Sequence, residues 1–478
     1  MPKKIIRYKP IKGYVPRGLP PIKELAKISG LNPGRIIAFY HQMYLSRLNQ
    51  MSNTEIKQSV MHRTGWVTLH SDLLQKSVTF EYKRFVDFFE LKGLLELRRD
   101  HLTGGLKYTP GEQSQQYRIP STLLHENNSV CHFRKEIITD HCTLKSLHKL
   151  KLSQKRRREE RNPELNSTHR ELMKMMTKVK FDLRNAQSFL QKVSEGKIIV
   201  RDTKSGEERN YPDMLLQMHM CNDGYAREGK VDAYGERLHT PFSNLWKQLR
   251  PFIRIEGSKD APGVTDIANS QPYFSSIAIN PTLIDLILPE FKACIPALQN
   301  LKGKSDFEKY AELCATGKLY EYWMSLREGI DRDTAKEEIF YLMFSPNRAP
   351  KKWEKLGAVT KRLIREIFNT EFPSVNAAFR KIKALSEKEL PFIETIFLNK
   401  KGKFEGPSGY HKSLACMMQR MESRIFLGRI VPKLIEIGAG PFLTVHDSVI
   451  VSPHHLKAVE EAIRNEFHAL GVHPPTLK

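Results

Sequence analysis

Two aspartates in this sequence, Asp266 and Asp447, adjoin short apolar segments that are typical of β-strands. Asp447 lies between the segments PFLTV and VIVSP, and Asp266 ends the extended segment PGVTD. A carboxylate in a buried turn is destabilised unless it has a partner, usually a cation. On adjacent strands of one sheet, the two aspartates could hold two Mg²⁺ ions roughly 3.5–4 Å apart, the arrangement used for in-line phosphoryl or nucleotidyl transfer.

A segment between the two aspartates, GIDRDTAKEEIFYLMFSPNR, repeats cations and then aromatic rings at every fourth position. The four positions are Arg332, Lys336, Phe340 and Phe344. Each step drifts only about 40° around an α-helix, so the four side chains share one face. Such a face could bind a triphosphate through its cations and stack a base or sugar on its rings. An amphipathic helix with a snorkelling Arg and Lys is the alternative if the helix is taken by itself.

Two kinds of element must position these groups for the chemistry to occur. Asp266 and Asp447 must lie on neighbouring strands of one sheet, although they are far apart in the chain. The helix that carries the cations must face them, and Ser345-Pro346 is expected to end it.

The motifs in this order resemble motifs A, B and C of family A DNA polymerases and of the related single-subunit phage-type RNA polymerases. Asp266 corresponds to motif A, the spaced segment from Arg332 to Phe344 to motif B, and His446-Asp447 to motif C. The stretch YGERLHTPFSNLWKQLRPF resembles the primer–template segment that precedes motif A. The resemblance covers about residues 231–478. It implies an α+β fold, with a right-hand body of palm, fingers and thumb and a small antiparallel palm sheet.

The resemblance also implies roles for the matching residues. Asp266 and Asp447 would be the metal-binding catalytic aspartates, with two Mg²⁺ as cofactors and Mn²⁺ as a substitute. Arg332 and Lys336 would contact the nucleoside triphosphate, and Lys336 would donate a proton to the leaving pyrophosphate. Phe340 would stack against the incoming nucleotide.

The same resemblance implies a surface for the DNA primer-template. His446 would approach the primer terminus, and Arg237 would touch the primer–template backbone or minor groove. Asn244 is a weaker candidate for that surface, and Gln419 would face the minor groove.

The sugar of the substrate is indicated by three positions. The DNA enzymes usually have a Glu five residues after the motif A aspartate, which blocks a ribose 2′-OH, and the RNA enzymes have a Gly. Gln271 stands there, long enough to obstruct a 2′-OH but also able to hydrogen-bond to one. Phe344, which would line the sugar side of the pocket, lacks the hydroxyl of the usual Tyr. Ser448 stands where the RNA enzymes also have Ser and the DNA enzymes have Glu, so the second carboxylate of motif C is missing.

Gln271 and Phe344 favour a DNA-directed DNA polymerase, whereas Ser448 favours the alternative within enzymes, an RNA polymerase or primase-like enzyme. With two of the three positions on its side, the DNA polymerase is expected. A non-catalytic DNA-binding replication initiator or regulator is the alternative from another class. No paired carboxylates of an editing site occur in the first 230 residues, so no proofreading exonuclease is expected.

The N-terminal part of the sequence predicts a winged-helix-like DNA-binding domain over residues 21–125, behind a basic extended leader over residues 1–20. Short helical patterns are followed by two strand-like pieces around the Gly-rich segment LTGGLKYTPGEQS. A small α+β accessory domain is the alternative. The cations expected on the wing are Arg98, Arg99, Lys107 and Arg118. Such a domain could also bind replication proteins.

The remaining boundaries follow from charge and from the resemblance. We expect a basic linker over residues 126–164, a helical thumb-like segment over 165–230, a palm over 231–290 and 401–478, and fingers over 291–400.

The overall charge indicates a polyanionic partner. The chain has 77 Lys and Arg against 53 Asp and Glu among 478 residues, a formal net charge of +24. No apolar run approaches the ~20 residues needed to span a bilayer, so no membrane partner is expected. The 6 Cys include no CxxC pair, which is typical of a reduced compartment and predicts a cytoplasmic location.

Overall fold

The computed structural model combines helices with small sheets of two or three strands, which agrees with the expected α+β class. The residues that it describes are 8–51, 65–100, 103–106, 114–124, 129–161, 165–200, 210–225, 229–256, 258–347, 357–386, 388–392 and 407–478. Along the chain these residues form two units. Unit 1 comprises Met1–Pro163, Lys180–Arg227 and Asn244–Ile253, and unit 2 comprises Glu164–Val179, Glu228–Ser243 and Arg254–Lys478.

The secondary-structure elements are numbered here in chain order. The helices are α1 (Ile22–Ser29), α2 (Pro33–Met51), α3 (Ser71–Ser77), α4 (Tyr82–Leu91), α5 (His141–Arg161), α6 (Ser167–Met176), α7 (Leu183–Ser194), α8 (Tyr211–Asn222), α9 (Ser270–Ala278), α10 (Pro281–Ile287), α11 (Ile295–Leu298), α12 (Ser305–Ala315), α13 (Leu319–Leu326), α14 (Arg332–Phe344), α15 (Ala358–Glu371), α16 (Pro373–Ile382), α17 (Ser413–Ile425), α18 (Val431–Glu436) and α19 (Leu456–Ala469). The strands are β1 (Ile11–Pro16), β2 (Val67–Thr68), β3 (Glu96–Leu97), β4 (Gln116–Arg118), β5 (Phe133–Ile138), β6 (Val179–Phe181), β7 (Lys230–Val231), β8 (Leu238–His239), β9 (Ile253–Ile255), β10 (Gly263–Asp266), β11 (Phe442–Val445) and β12 (Ser448–Val451).

Strand β1 occupies part of the stretch that was expected to be an extended leader. It pairs antiparallel with β5, in a register that runs from Ile11↔Ile138 to Pro16↔Phe133. The side chain of Tyr14 is fully buried, and its hydroxyl donates a 2.5 Å hydrogen bond to Asp223 at the end of α8. Residues 13–16 are all buried, so β1 is a core strand of unit 1, with β5 supplying its backbone partners.

Helix α5 and strand β5 occupy most of the stretch that was expected to be a linker. Leu144, Leu147 and Leu150 are buried along one face of α5, and the first two join the apolar core of unit 1. The strongly basic composition hid this amphipathic pattern in the sequence. The residues expected as a thumb-like segment, 165–230, are divided between the two units after Val179.

Among the described residues of the N-terminal part, α1 and α2 precede β2, and α3 and α4 follow it. Strands β2, β3 and β4 form an antiparallel sheet of order β2-β4-β3.

The arginines expected on the wing each have a partner within unit 1. Arg98 donates a 2.6 Å hydrogen bond to Gln116, and Arg99 forms a 2.7 Å ion pair with Glu90. Arg118 pairs with Glu96 and lies 4.6 Å from the centre of the Trp66 ring. These contacts stabilise the small sheet, so the three side chains are less available to a phosphate than the sequence indicates. Lys107 lies outside the described residues.

Unit 2 is built around a three-stranded antiparallel sheet of order β10-β12-β11. All four residues of β11 and of β12 are buried, which explains their nearly continuous apolar sequences, FLTV and SVIV. Residues 476–478 extend the sheet beyond β10. The N–H of Asp266 donates to the carbonyl of Lys478 at 3.0 Å, and the N–H of Lys478 donates to the carbonyl of Asp266 at 2.9 Å.

None of the described helices is both long enough and apolar enough to cross a bilayer.

Candidate active site

The sheet of unit 2 brings Asp266 and Asp447 together. Asp266 is the last residue of β10 and lies directly opposite Ser448, the first residue of β12. Val445 and Ser448 also pair, so His446 and Asp447 form a two-residue turn between β11 and β12. Both aspartates are consequently at the same end of the sheet, as the sequence predicts.

The turn is fixed by its backbone and by Ser448. His446 has φ of 57°, a left-handed conformation that a two-residue hairpin turn requires and that a non-glycine residue rarely adopts. The Ser448 hydroxyl is buried and donates a 2.9 Å hydrogen bond to the carbonyl of Val445. Ser448 therefore closes the turn that presents Asp447.

The environment of Asp447 disfavours its charge. Burial raises the pKa of its carboxyl well above the ordinary value, and the negative charges of Asp266 and Glu422 raise it further. The nearby Ser270 hydroxyl opposes part of this rise in the pKa, whereas the nearby Asp266 carboxyl adds to it. The raised pKa favours the protonated form of Asp447 unless a cation balances the charge at the site.

Glu422, on α17, is a third carboxylate at this site, and the sequence analysis did not identify it. Its side chain is only 1% exposed, and both of its oxygens accept hydrogen bonds from Arg237, from Nε at 2.8 Å and from Nη2 at 2.6 Å. The amide of Gln271 donates to the same carboxylate at 3.1 Å. Burial raises the pKa of Glu422, Arg237 and Gln271 lower it, and the charge of Asp266 raises it. We refer to Asp266, Asp447 and Glu422 as the carboxylate cluster.

A signal for Glu422 existed in the sequence. It lies three residues after Gln419, on the same face of the largely apolar helix SLACMMQRMESRI, where a charged residue needs a buried partner. The partner, Arg237, is distant in the chain, and only the tertiary fold reveals it.

The β7–β8 hairpin, whose turn spans residues 232–237, holds Arg237 in place. The Asp232 carboxylate accepts hydrogen bonds from the N–H groups of Gly235 at 2.6 Å and of Arg237 at 3.1 Å. A Cβ atom at Gly235 would lie 2.6 Å from Oε1 and 2.9 Å from Cβ of Gln419, so only glycine allows the turn to approach α17 this closely. Gln419 therefore lies beside the turn that carries Arg237.

Two arginines of α17 anchor the same turn. Arg420 donates to the carbonyls of Ala233 at 3.0 Å and Tyr234 at 3.1 Å, and Arg424 makes a two-point contact with Glu236, both bonds 2.8 Å long. These bonds make the hairpin and α17 one rigid support for Arg237 and Glu422.

His446 lies beside this support. Its ring is 5.7 Å from that of His239, which in turn is 3.0 Å from Asp232 through Nε2. A small cleft runs along this region, lined by Arg237, Leu238, Glu422, Ser423, Phe426, Leu427, Thr444 and His446. Arg237, expected to touch the primer–template backbone or minor groove, and His446, expected to approach the primer terminus, thus border a single cleft.

Helix α14 begins at Arg332 and ends at Phe344, as its spacing predicts. Asp331 caps its N-terminus by accepting a 2.8 Å hydrogen bond from the N–H of Thr334. Arg332 and Lys336 are exposed and Phe340 and Phe344 partly so, while Ala335, Ile339 and Leu342 on the other face are buried. Lys336 Nζ is 5.4 Å from the Phe340 ring centre, and the rings of Phe340 and Phe344 are 5.5 Å apart. The cationic and aromatic face exists and is accessible.

A hydrogen bond connects the start of α14 with the segment that follows Asp266. Arg332 donates from Nη2 to the Oδ1 of Asn269 at 3.1 Å and from Nε to Glu321 at 3.0 Å. Asn269 has φ of 53° and donates its amide to the carbonyl of Gly317 at 2.6 Å. The first cation of α14 is therefore attached to the turn just beyond Asp266.

Asn244, the weaker candidate for the primer–template surface, is exposed and belongs to unit 1.

The donor groups at the site suit a magnesium ion. Among the described residues, no group of three or more His, Cys, Asp or Glu side chains is placed to hold a metal. Glu422 is occupied by Arg237 and Gln271, which leaves Asp266 and Asp447 as donors. Mg²⁺ commonly takes one or two protein carboxylates and completes its octahedron with water and substrate phosphates. A divalent cation would also relieve the repulsion that raises the pKa of Asp447.

Comparison with known proteins finds similarity to solved structures but to no protein family. No protein-family model matches the chain, and no curated protein matches it. Among solved structures, the chain is similar to the POL domain of Pol1 from M. smegmatis in complex with DNA primer-template and dNTP. The TM-score is 0.37, the sequence identity is 12%, and the match covers 65% of this chain and 68% of that chain.

Proposed function

We propose that the chain is a template-directed nucleotidyltransferase, and specifically a DNA-directed DNA polymerase of the family A type without a proofreading exonuclease. The observation that carries the proposal is the meeting of Asp266 and Asp447 at one end of the central sheet of unit 2. Their shared burial and mutual repulsion are typical of a site built for divalent cations.

The catalytic roles follow from this site. Asp266 and Asp447 would hold two Mg²⁺ ions, or Mn²⁺ as a substitute, which when bound lower the pKa of a 3′-hydroxyl and stabilise the leaving pyrophosphate. Arg332 and Lys336 bind the triphosphate, and Lys336 donates a proton to the pyrophosphate oxygen as it leaves.

The aromatic half of α14 contributes the nucleoside pocket. Phe340 stacks on the incoming nucleotide, and Phe344 lines the sugar and templating-base side. Gln271 obstructs a ribose 2′-OH. His446, Arg237 and Gln419 contact the primer terminus and the adjoining duplex. In this proposal the sheet of unit 2 is the palm, and α14 belongs to the fingers.

Unit 1 supplies a second set of contacts to nucleic acid. The order of its helices and strands from α1 to β4 supports a winged-helix-like domain, which could also receive replication proteins. Helix α5 exposes Lys145, Lys149 and Arg156 on the side opposite its buried leucines, and Lys151, Lys155 and Arg157 are exposed elsewhere on its surface. Successive cations four residues apart are about 6 Å apart along a helix, which is comparable to the spacing of phosphates along a nucleic-acid strand.

Primer extension with either dNTPs or rNTPs in Mg²⁺ tests the proposal. The wild-type protein should extend a DNA primer with dNTPs, and Asp266→Ala should lower the rate by about a thousandfold. Asp285→Ala is the control, since Asp285 is an exposed acid of unit 2 that pairs with Lys292. Its activity should equal that of the wild type.

The other outcomes separate the alternatives. Extension with rNTPs alone would replace the DNA assignment by an RNA polymerase or primase-like enzyme. DNA binding without extension by the wild-type protein, in Mg²⁺ or Mn²⁺, would overturn catalysis in favour of a replication initiator or regulator.

A further inference from the structure

Glu422 occupies a central place in the site, yet the proposed mechanism assigns it no role. It is the most deeply buried acid of the carboxylate cluster, the charge of Asp266 raises its pKa, and its own charge raises the pKa of Asp447. An acid buried in this way destabilises the folded protein unless ion pairs and hydrogen bonds compensate for its lost solvation. The arrangement of its partners indicates its role.

The two hydrogen-bond partners of Glu422 come from separate parts of unit 2. Arg237 lies in the turn of the β7–β8 hairpin, and Gln271 lies in the first turn of α9, just beyond Asp266. Arg237 engages both oxygens, and Gln271 shares Oε2 with it. One carboxylate therefore fixes the primer-side arginine and the sugar-side glutamine at the same time.

The contact also decides how the Gln271 amide is oriented. A carboxylate only accepts hydrogen bonds, so the nitrogen of the amide must be the atom that faces Glu422. The side chain can then neither flip nor swing away without breaking a bond to a buried charge. An obstruction to a 2′-OH works only if it cannot move aside, and Gln271 by itself is a flexible residue.

We infer that Glu422 is a positioning residue for sugar selection, which acts by holding Gln271 and Arg237 in a single network. The inference rests on the proposed function and assigns to Glu422 the discrimination between dNTP and rNTP. In this network, the carboxylate comes from α17 and the obstructing side chain from α9, so neither residue discriminates well without the other.

Glu338 offers a matched control for a purely structural role. It is also 1% exposed and is held at two points by an arginine that is 17% exposed, as Arg237 is. Its partners are Arg327, at 3.0 and 3.3 Å, and the Trp323 indole, at 2.7 Å. Glu338→Gln should thus destabilise the protein about as much as Glu422→Gln does, without changing sugar selection.

The experiment compares kcat/KM for dNTP and rNTP in single-nucleotide primer extension. The ratio of kcat/KM for dNTP to kcat/KM for rNTP measures sugar selection. Glu422→Gln should bring this ratio about tenfold closer to one, which is the effect of losing one charge-assisted hydrogen bond. Glu338→Gln should leave the ratio at the wild-type value. Thermal unfolding of both variants measures the structural cost that they share.

A double-mutant cycle with Gln271→Ala tests whether Glu422 acts through Gln271. Gln271→Ala should change the ratio strongly in the wild-type background and weakly in Glu422→Gln, because the second change removes an obstruction that is already loose. Equal effects of Gln271→Ala in both backgrounds, or an unchanged ratio in Glu422→Gln, would overturn the inference while wild-type extension still supports the polymerase. Absence of extension by the wild-type protein would overturn both.

Discussion

At the scale of residues, the site is defined by negative charges that the protein itself does not fully balance. Glu422 has Arg237 as a partner, whereas Asp447 has two acids and a serine hydroxyl near it. The folded state therefore binds a proton at Asp447 more tightly than the unfolded chain does. The stability contributed by the protonated form is present at low pH and is lost as pH rises through the raised pKa.

Asp447→Asn is expected to stabilise the protein in the absence of divalent ions and to abolish nucleotide transfer. The amide keeps the shape of the side chain and removes the repulsion at neutral pH, which should raise the free energy of unfolding by about 1 kcal/mol. Denaturant unfolding of the variant and the wild type, at pH 7 with a chelator present, measures this difference in the free energy of unfolding.

Added Mg²⁺ should stabilise the wild type and reduce this difference, since a ligand that binds only the folded state adds to its stability. A variant that is less stable than the wild type in the chelator would contradict the argument that Asp447 is strained by its neighbours.

At the scale of elements, the cationic face of α5 is the strongest candidate in unit 1 for contact with a nucleic-acid backbone. Its inner face is anchored by Leu144 and Leu147, so the helix can hold its exposed cations in fixed positions. Arg156 has an acidic partner, Glu160, at 3.6 Å. Lys145 and Lys149 lie one turn apart, nearer the start of the helix.

Replacing Lys145 and Lys149 by Gln should weaken DNA binding and lower the slope of log K against log salt by about 1.8, since each phosphate contact contributes about 0.9. Fluorescence anisotropy with a labelled duplex over a range of salt concentrations measures the slope. Lys23 and Lys27 form a matched pair on α1, also exposed and four residues apart. Their double replacement should leave the slope unchanged, and equal losses in both variants would indicate a nonspecific effect of charge.

Periodicity in the sequence predicted the elements whose pattern is local. The face of α14 and the strands on either side of His446-Asp447 follow from the spacing of a few neighbouring residues. Strand β1 could not be predicted in this way, because Tyr14 and Val15 are core residues only when β5 lies beside them. Glu422 was missed for the same physical reason, since its partner Arg237 is brought to it by the tertiary fold.

At the scale of the whole molecule, unit 1 contains buried histidines that make its stability depend on pH. Burial lowers the pKa of His41 to about 4, and burial together with the charge of Lys135 lowers the pKa of His219 to about 4. His41 is only 2% exposed, and its ring lies 4.7 Å from that of Tyr225. The unfolded chain takes up these protons near pH 6.5 and the folded chain only near pH 4, so stability is complete above 6.5 and falls between the two values.

Lowering the pH from 7 to 5 is therefore expected to destabilise the protein by about 2 kcal/mol through His41 alone. Urea unfolding at the two pH values measures the loss. His41→Gln, which cannot take up the proton, should show a smaller dependence on pH by about that amount. An identical dependence in the variant and the wild type would mean that His41 does not control acid stability.

The two backbone hydrogen bonds between Asp266 and Lys478 have a consequence for how this protein is prepared. Residues 476–478 pair with Asp266, the last residue of β10 and a proposed metal ligand, and with Ile267 and Ala268 just after it. Deleting them, or attaching a bulky purification tag directly after them, would expose an open row of amide and carbonyl groups beside that aspartate. An exposed edge of this kind can pair with strands of other molecules. Protein altered at these residues is therefore expected to self-associate and to hold the Asp266 carboxylate less precisely.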